Sequence, residues 1–146
     1  MIDKPQKWAI FDMPPVSKYS SGSITLFGDA AHASTSHAGA GAGMAVEDAF
    51  ILSELLSDSK VKSIHDVPVV FSSYETIRLP RTQKLVQHSR ESGYLYQLRK
   101  PGLGDDIEKI KETLGSWQNW IWDIDLESHL EEGRRELRAM LDNCES

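Results

Sequence analysis

The feature that most constrains this chain is a short apolar run that stops at Gly-Asp and leads, through a small-residue loop, into a glycine-rich stretch opening a helix. Ile24-Thr25-Leu26-Phe27 is continuously apolar or β-branched, the pattern of a strand covered on both faces. Gly28-Asp29-Ala30-Ala31-His32 follows, and later Gly39-Ala40-Gly41-Ala42-Gly43 runs into Met44-Ala45-Val46-Glu47-Asp48-Ala49. Gly28 carries no side chain, so a ligand or a second backbone can come close. Asp29, at the carboxyl end of the strand, is placed to accept hydrogen bonds from ligand hydroxyls. Gly39, Gly41 and Gly43 leave backbone N–H groups unobstructed, and the following helix adds the positive end of its dipole. Such a site suits an anionic or electron-rich planar group. Glu47 and Asp48 are expected in the first helical turn, where acids complement the dipole.

Around this block the chain divides into an extended and a helical part. Trp8-Ala9-Ile10-Phe11 reads as a first short strand, ended by Pro14-Pro15, and Ser20-Ser21-Gly22 turns into the second, Ser23–Phe27. The helix after the glycines is predicted from about Met44 to Leu56, with Ala45, Ala49, Leu52 and Leu56 as its apolar stripe. Val70, Tyr74 and Ile77 mark another helix, which Pro80 should kink or restart, giving a further segment from about Arg81 to Tyr96. Pro101-Gly102-Leu103-Gly104 breaks the chain, and Asp105 is the expected N-cap for Ile107–Leu114. Leu126, Leu130, Leu137 and Leu141 align on a last helix that Gly133 weakens by up to roughly 1 kcal/mol. The expected fold is an α/β fragment, predominantly helical. Residues 1–57 hold two short strands and the strand–loop–helix block, and residues 58–146 a helical region, the two forming one compact unit.

Composition excludes several function classes. A net charge of -6 leaves no basic patch for nucleic acid or an anionic membrane, because phosphates need Lys and Arg to neutralise them. The basic clusters Lys109–Lys111 and Arg134–Arg138 are interleaved with Glu and read as solvated helix faces. No run approaches the roughly 20 apolar residues of a membrane span, and the residues from Met1 to Lys7 lack a signal peptide's apolar core. The lone Cys144 cannot close an internal disulfide, and no Cys/His set has zinc spacing. A cytoplasmic protein without a metal is expected.

Gly-Asp-Ala-Ala-His ending a strand, with Gly-x-Gly and then Glu47-Asp48-Ala49 at this distance, resembles the second FAD motif of the class A flavoprotein monooxygenases, in their salicylate-hydroxylase-like, fungal secondary-metabolism branch. Arg78-Leu79-Pro80-Arg81, Ser89-Arg90-Glu91-Ser92-Gly93 and Trp120-Ile121-Trp122-Asp123 are similar to the same family's C-terminal third. The resemblance implies FAD as cofactor. It assigns Asp29, beside Gly28, to the ribityl chain, and the loop from Gly39 with the amides of Gly41, Ala42 and Gly43 to the pyrimidine edge of the isoalloxazine. The family normally opens with a βαβ unit carrying Gly-x-Gly-x-x-Gly for the FAD pyrophosphate, which this sequence does not contain. It also carries proline where Ser36 stands.

The reading is therefore of a truncated or split FAD-dependent monooxygenase chain. With NAD(P)H and O2, a complete relative would hydroxylate or epoxidise an aromatic or polyketide-like metabolite. The expected partners are an N-terminal flavoprotein half or a second copy. A shortened, non-redox relative acting as a cyclase, isomerase or binding module, or an inactive fragment, stays open on the residues alone. His32 is expected to pack and bond locally, His37 is a weak catalytic candidate, and His65, His88 and His129 are read as surface residues. Trp117, Trp120 and Trp122 read as core or interface, and Arg78 and Arg81 as partners of nearby acids. No residue is singled out as catalytic.

Overall fold

The computed structural model describes residues 4–144. Ten short and long elements follow one another. Strand β1 (Ser20–Ser21) pairs antiparallel with β2 (Ile24–Thr25), Ser20 opposite Thr25 and Ser21 opposite Ile24. The hairpin turns at Gly22, whose φ of 57° suits a residue without Cβ. A one-turn helix α1 (Asp29–His32) and a 3-10 turn (Ser36–Ala38) lead to α2 (Gly41–Leu56). Then come a second 3-10 turn (Ile64–Asp66), α3 (Val67–Tyr96), α4 (Ile107–Ser116), α5 (Asn119–Trp122) and α6 (Leu126–Cys144). The chain is predominantly helical with two short antiparallel strands, as expected.

The strands differ in place from the expectation. Trp8–Phe11 is irregular, with Trp8 82% and Phe11 81% exposed, and Ile24 is 71% exposed. A strand is covered on both faces only inside a sheet that carries packed layers on each side. Here a tight turn supplies one neighbour on one edge, and no other strand is present among the described residues. The run 24–27 thus forms a strand only at Ile24–Thr25, in a two-stranded sheet, and, contrary to expectation, is not covered on both faces.

The core lies between α2, α3 and α6. Ile51 and Leu55 meet Val70, Tyr74 and Ile77, and Leu130, Leu137 and Leu141 close over them. Each of these leucines contributes about 2 kcal/mol by leaving water. The stripe expected on α2 is shifted by one column: Met44, Asp48, Ile51 and Leu55 are buried, whereas Ala49 and Leu56 are exposed. Gly133 is also more than a weak point in α6. A Cβ there would lie 2.8 Å from Ile77 Cδ1, and Ser73 Oγ donates to the Gly133 carbonyl at 2.7 Å. The missing side chain lets α6 approach α3 closely.

Proline does not divide α3, which runs through Pro80 as one 30-residue helix. Pro80 removes one N–H, but the turns around it are held from outside by Arg78 and Arg81. Within the helix, the Thr82 hydroxyl donates to the Arg78 carbonyl at 2.9 Å. The N-cap of α4 is Asp106, not Asp105; its carboxylate accepts from the Lys109 amide at 3.2 Å.

His88 and His129 are not surface residues. His88 is buried on α3, stacked on Trp117 with ring centroids 4.8 Å apart and edge-on to Trp120 at 5.4 Å. The Trp120 indole donates to its Nδ1 at 3.4 Å, and the Trp117 indole donates to Ser92 Oγ at 2.8 Å. These contacts fasten α4 and α5 to α3. Burial pushes the His88 imidazole below its ordinary 6.5; Glu91 opposes this, and Lys84 and Lys100 add to it. Burial and the Arg78 charge lower His129 likewise. Both rings thus favour the folded state while neutral. As pH falls below 6.5 the unfolded chain binds protons that the folded chain refuses, and stability declines. Urea midpoints measured from pH 7 downward should fall, and His88→Phe should flatten part of that slope. Parallel slopes for the two proteins would reject the role given to His88.

Candidate flavin-contacting face

Gly28 sets the geometry of the glycine-rich block. Its φ of 57° and ψ of -143° place it where residues with a side chain are strained, and a Cβ there would sit 3.4 Å from Ala45 Cβ. This kink ends the extended run and starts α1 at Asp29. Both ends of α1 are tied to a single carboxylate on α2. The Gly28 N–H donates to Asp48 Oδ2 at 3.0 Å, and His32 Nε2 meets the same oxygen at 2.6 Å, with both side chains fully buried. His32 is therefore a local packing and hydrogen-bonding group, as read from the sequence.

Asp48 is joined to α3 through its other oxygen. Arg78, also fully buried, donates from Nε to Asp48 Oδ1 at 2.8 Å, from Nη1 to Glu47 Oε2 at 2.8 Å and from Nη2 to the Met44 carbonyl at 3.3 Å. Arg81 grips Glu47 with two bonds of 2.8 Å and donates to the carbonyls of Trp120 and Ile121. Burial alone would raise the Asp48 carboxyl; the bond from His32, the Arg78 charge and the Gly28 amide outweigh it and hold the group below its ordinary value. Glu47 is lowered in the same way, burial being overcome by Arg81 and Arg78. Two acids and two guanidiniums thus balance in a dry layer. The expectation that Glu47 and Asp48 serve the helix dipole is corrected: α2 begins at Gly41, so both lie in its second turn.

That earlier start alters the glycine loop. Gly39, with φ 65°, is the left-handed residue that ends the 3-10 turn. Gly41, Ala42 and Gly43 are the first three helical residues of α2, and the first helical bond inward is Met44 N–H to the Ala40 carbonyl at 3.0 Å. No side chain caps this helix end. Ala42 and Gly43 are exposed, and nothing lies within 4 Å of a Cβ built on Gly43. The face therefore offers the uncapped, positive end of a 16-residue helix, open to solvent at Ala42 and Gly43. Asp29 stands exposed on the turn pinned to the same helix. Ser36 is exposed at the start of the 3-10 turn. Such a face could hold a flat, electron-rich group beside a hydroxyl-bearing chain.

The face is open. A cleft of about 660 Å³ runs between Pro15 and α3 and includes none of residues 28–43. Sequence reading missed the carboxylate–guanidinium layer behind the site. Glu47 and Asp48 were expected only to complement the helix dipole, although Arg78 and Arg81 do pair with acids as expected. No helix among the described residues is long and apolar enough to cross a membrane.

Comparison with known proteins shows the family of the chain. The model of a family described as "FAD binding domain" matches residues 3–89. The chain is 38% identical over 133 residues to a salicylate hydroxylase of Pseudomonas putida, covering 91% of this chain and 30% of the relative. It is 40% identical over 139 residues to an FAD-dependent monooxygenase of Stachybotrys chartarum, covering 94% and 29%. A 6-methylsalicylate 1-monooxygenase of Aspergillus terreus is 38% identical over 127 residues, covering 87% and 28%. Among solved structures, a salicylate hydroxylase substrate complex superposes with a TM-score of 0.82 at 40% identity, covering 86% of this chain and 30% of that one. The chain thus spans about 30% of the length of these relatives.

Proposed function

Because the chain belongs to the FAD binding domain family and is similar to salicylate-hydroxylase-like FAD monooxygenases, we propose that it supplies the ribityl and isoalloxazine side of the flavin site in such an enzyme. The observation that carries this reading is the uncapped glycine end of α2, with Asp29 on a turn pinned to the same helix through Asp48. Gly28 and Asp29 would take the ribityl chain, the Asp29 carboxylate accepting from its hydroxyls. The amides of Gly41, Ala42 and Gly43, reached through the turn at Gly39, would donate to the pyrimidine edge of the ring. The positive end of α2 would favour negative charge there. Bound FAD would supply the redox chemistry, with NAD(P)H as reductant and O2 as oxidant, for hydroxylation or epoxidation of an aromatic or polyketide-like metabolite.

The chain would work with the part of the relatives it does not span, as a truncated or split enzyme paired with an N-terminal flavoprotein half. The exposed side chains of Ile24, Phe27 and Val46, the last 69% exposed, support a partner that brings sheet strands to this side. A cytoplasmic setting, where NAD(P)H is at hand, belongs to the same proposal, as does the division into residues 1–57 and 58–146.

The test is a titration of the purified chain with FAD, alone and mixed with the N-terminal half of a relative, followed by the flavin's visible spectrum. Binding is expected at least in the mixture. A flat titration in both would reject the reading. Asp29→Ala should weaken binding by about ten- to a hundredfold, the worth of a hydrogen bond to a charged group. An unchanged affinity would remove Asp29 from the site.

A further inference from the structure

We propose that Ser89 of α3 is a positioning residue for the flavin-contacting loop, acting with a notch at Gly93 to fix where the chain enters α2. The inference rests on the flavin reading above and assigns a role to residues that make no ligand contact in it.

Between α1 and α2 the chain has only a 3-10 turn to order it, and that turn is bracketed by one hydroxyl. Ser89 Oγ donates to the Thr35 carbonyl at 2.5 Å and accepts from the Ala38 amide at 3.2 Å, and it meets Thr35 Oγ1 at 2.9 Å. Thr35 is the N-cap of the turn and Ala38 its last residue. Ser89 is fully buried, so it acts on a ligand only through the loop. Four residues further on, the same face of α3 carries Gly93. A Cβ at Gly93 would lie 2.9 Å from Cε1 and Nδ1 of His37, so the imidazole occupies the space a side chain would fill. His37 Nδ1 in turn meets Thr35 Oγ1 at 2.9 Å. Loop and helix are therefore joined at both ends of the 3-10 turn and at its middle. Gly39 follows Ala38 directly and swings the chain into Gly41–Gly43. Loosening Ala38 would let that glycine end wander relative to Asp29, which is anchored separately through Asp48. The other buried serines of α3 serve different partners: Ser73 reaches Gly133, and Ser92 receives Trp117.

The clamp is tested on the full chain with Ser89→Ala, Gly93→Ala and Ser92→Ala. Amide hydrogen exchange is read at Gly39 and Met44, whose N–H groups bond the carbonyls of Ser36 and Ala40. Ser89→Ala should speed exchange at both by roughly tenfold, the scale of one buried hydrogen bond, and weaken FAD by a similar factor. Ser92→Ala should leave both readouts unchanged while lowering the thermal midpoint. Gly93→Ala is the sharper variant. Alanine favours a helix over glycine by about 1 kcal/mol, so the midpoint should hold while exchange in the loop rises. Unchanged exchange in Ser89→Ala and Gly93→Ala, or an equal rise in Ser92→Ala, would overturn the proposal. If no preparation binds FAD, the flavin reading fails, and the exchange data still decide whether the clamp exists.

Discussion

Arg78→Met is expected to destabilise the chain by about 3–5 kcal/mol, the range for leaving a buried charge without its partner. Arg78 is fully buried, and Asp48, its partner, is equally dry. After the change Asp48 would keep the Gly28 amide and His32, but no full positive charge would face its second oxygen. Folded domains typically hold 5–15 kcal/mol in total, so the variant should show a large fall in urea midpoint or no cooperative transition at all. Arg81→Met should cost much less, because Arg81 lies nearer the surface and Glu47 retains Arg78. Combining Arg78→Met with Asp48→Asn should cost less than the sum of the two singles by more than about 0.5 kcal/mol, the threshold for real coupling. Simple additivity, or a loss for Arg78→Met no larger than for Arg81→Met, would mean that the layer contributes packing alone.

Gly28→Ala should cost on the order of 2 kcal/mol, the scale of a side-chain residue forced into a glycine conformation. Gly22 offers a control, since it has the same φ of 57° but lies in an exposed hairpin with nothing within 4 Å of a Cβ. The hairpin can relax around alanine; Gly28 is held by its bond to Asp48 and by the nearness of Ala45. Gly28→Ala should therefore lower the urea midpoint further than Gly22→Ala, and also weaken FAD binding by tilting the turn that carries Asp29. Equal losses in the two variants would show that the turn at Gly28 is free to adjust.

The presence of a turn at Gly28 and of a helix after the glycines was legible because glycine spacing is a local signal. The face of α6 given by Leu130, Leu137 and Leu141 follows from the sequence alone, whereas the start of α2 at Gly41 does not, since the glycines read as a loop ahead of a helix from about Met44. What was not legible depends on partners far along the chain. Asp48 occupies a core position, and a charged residue there disguised the true stripe of α2, so the pattern seemed to run through Ala45 and Ala49. Its partner Arg78 is 30 residues away in sequence, beyond any local rule. Pro80 was weighted by its local cost, while the contacts of the flanking turns keep α3 whole. The clamp had a signal that was available: Ser89 and Gly93 are small residues four apart, a spacing that puts them on one face of a helix.

The unbroken α3 also makes the chain's spacing inflexible in one stretch only. Ser73 meets α6, Arg78 and Arg81 meet α2, Arg81 also reaches α5, Ser89 and Gly93 meet the 3-10 turn at Ser36–Ala38, and all ride on one rod. Inserting a single residue at exposed Thr76 would turn everything downstream by about 100° and advance it about 1.5 Å. Each later side chain would then aim at the wrong neighbour at once. Descendants of this fold can change the length of the exposed connection at 98–105 more readily than that of 67–96, where they can change identity and not length. Gaps in that window should be as rare as changes at Gly28, which makes residue count itself a diagnostic for relatives that keep the flavin-contacting face.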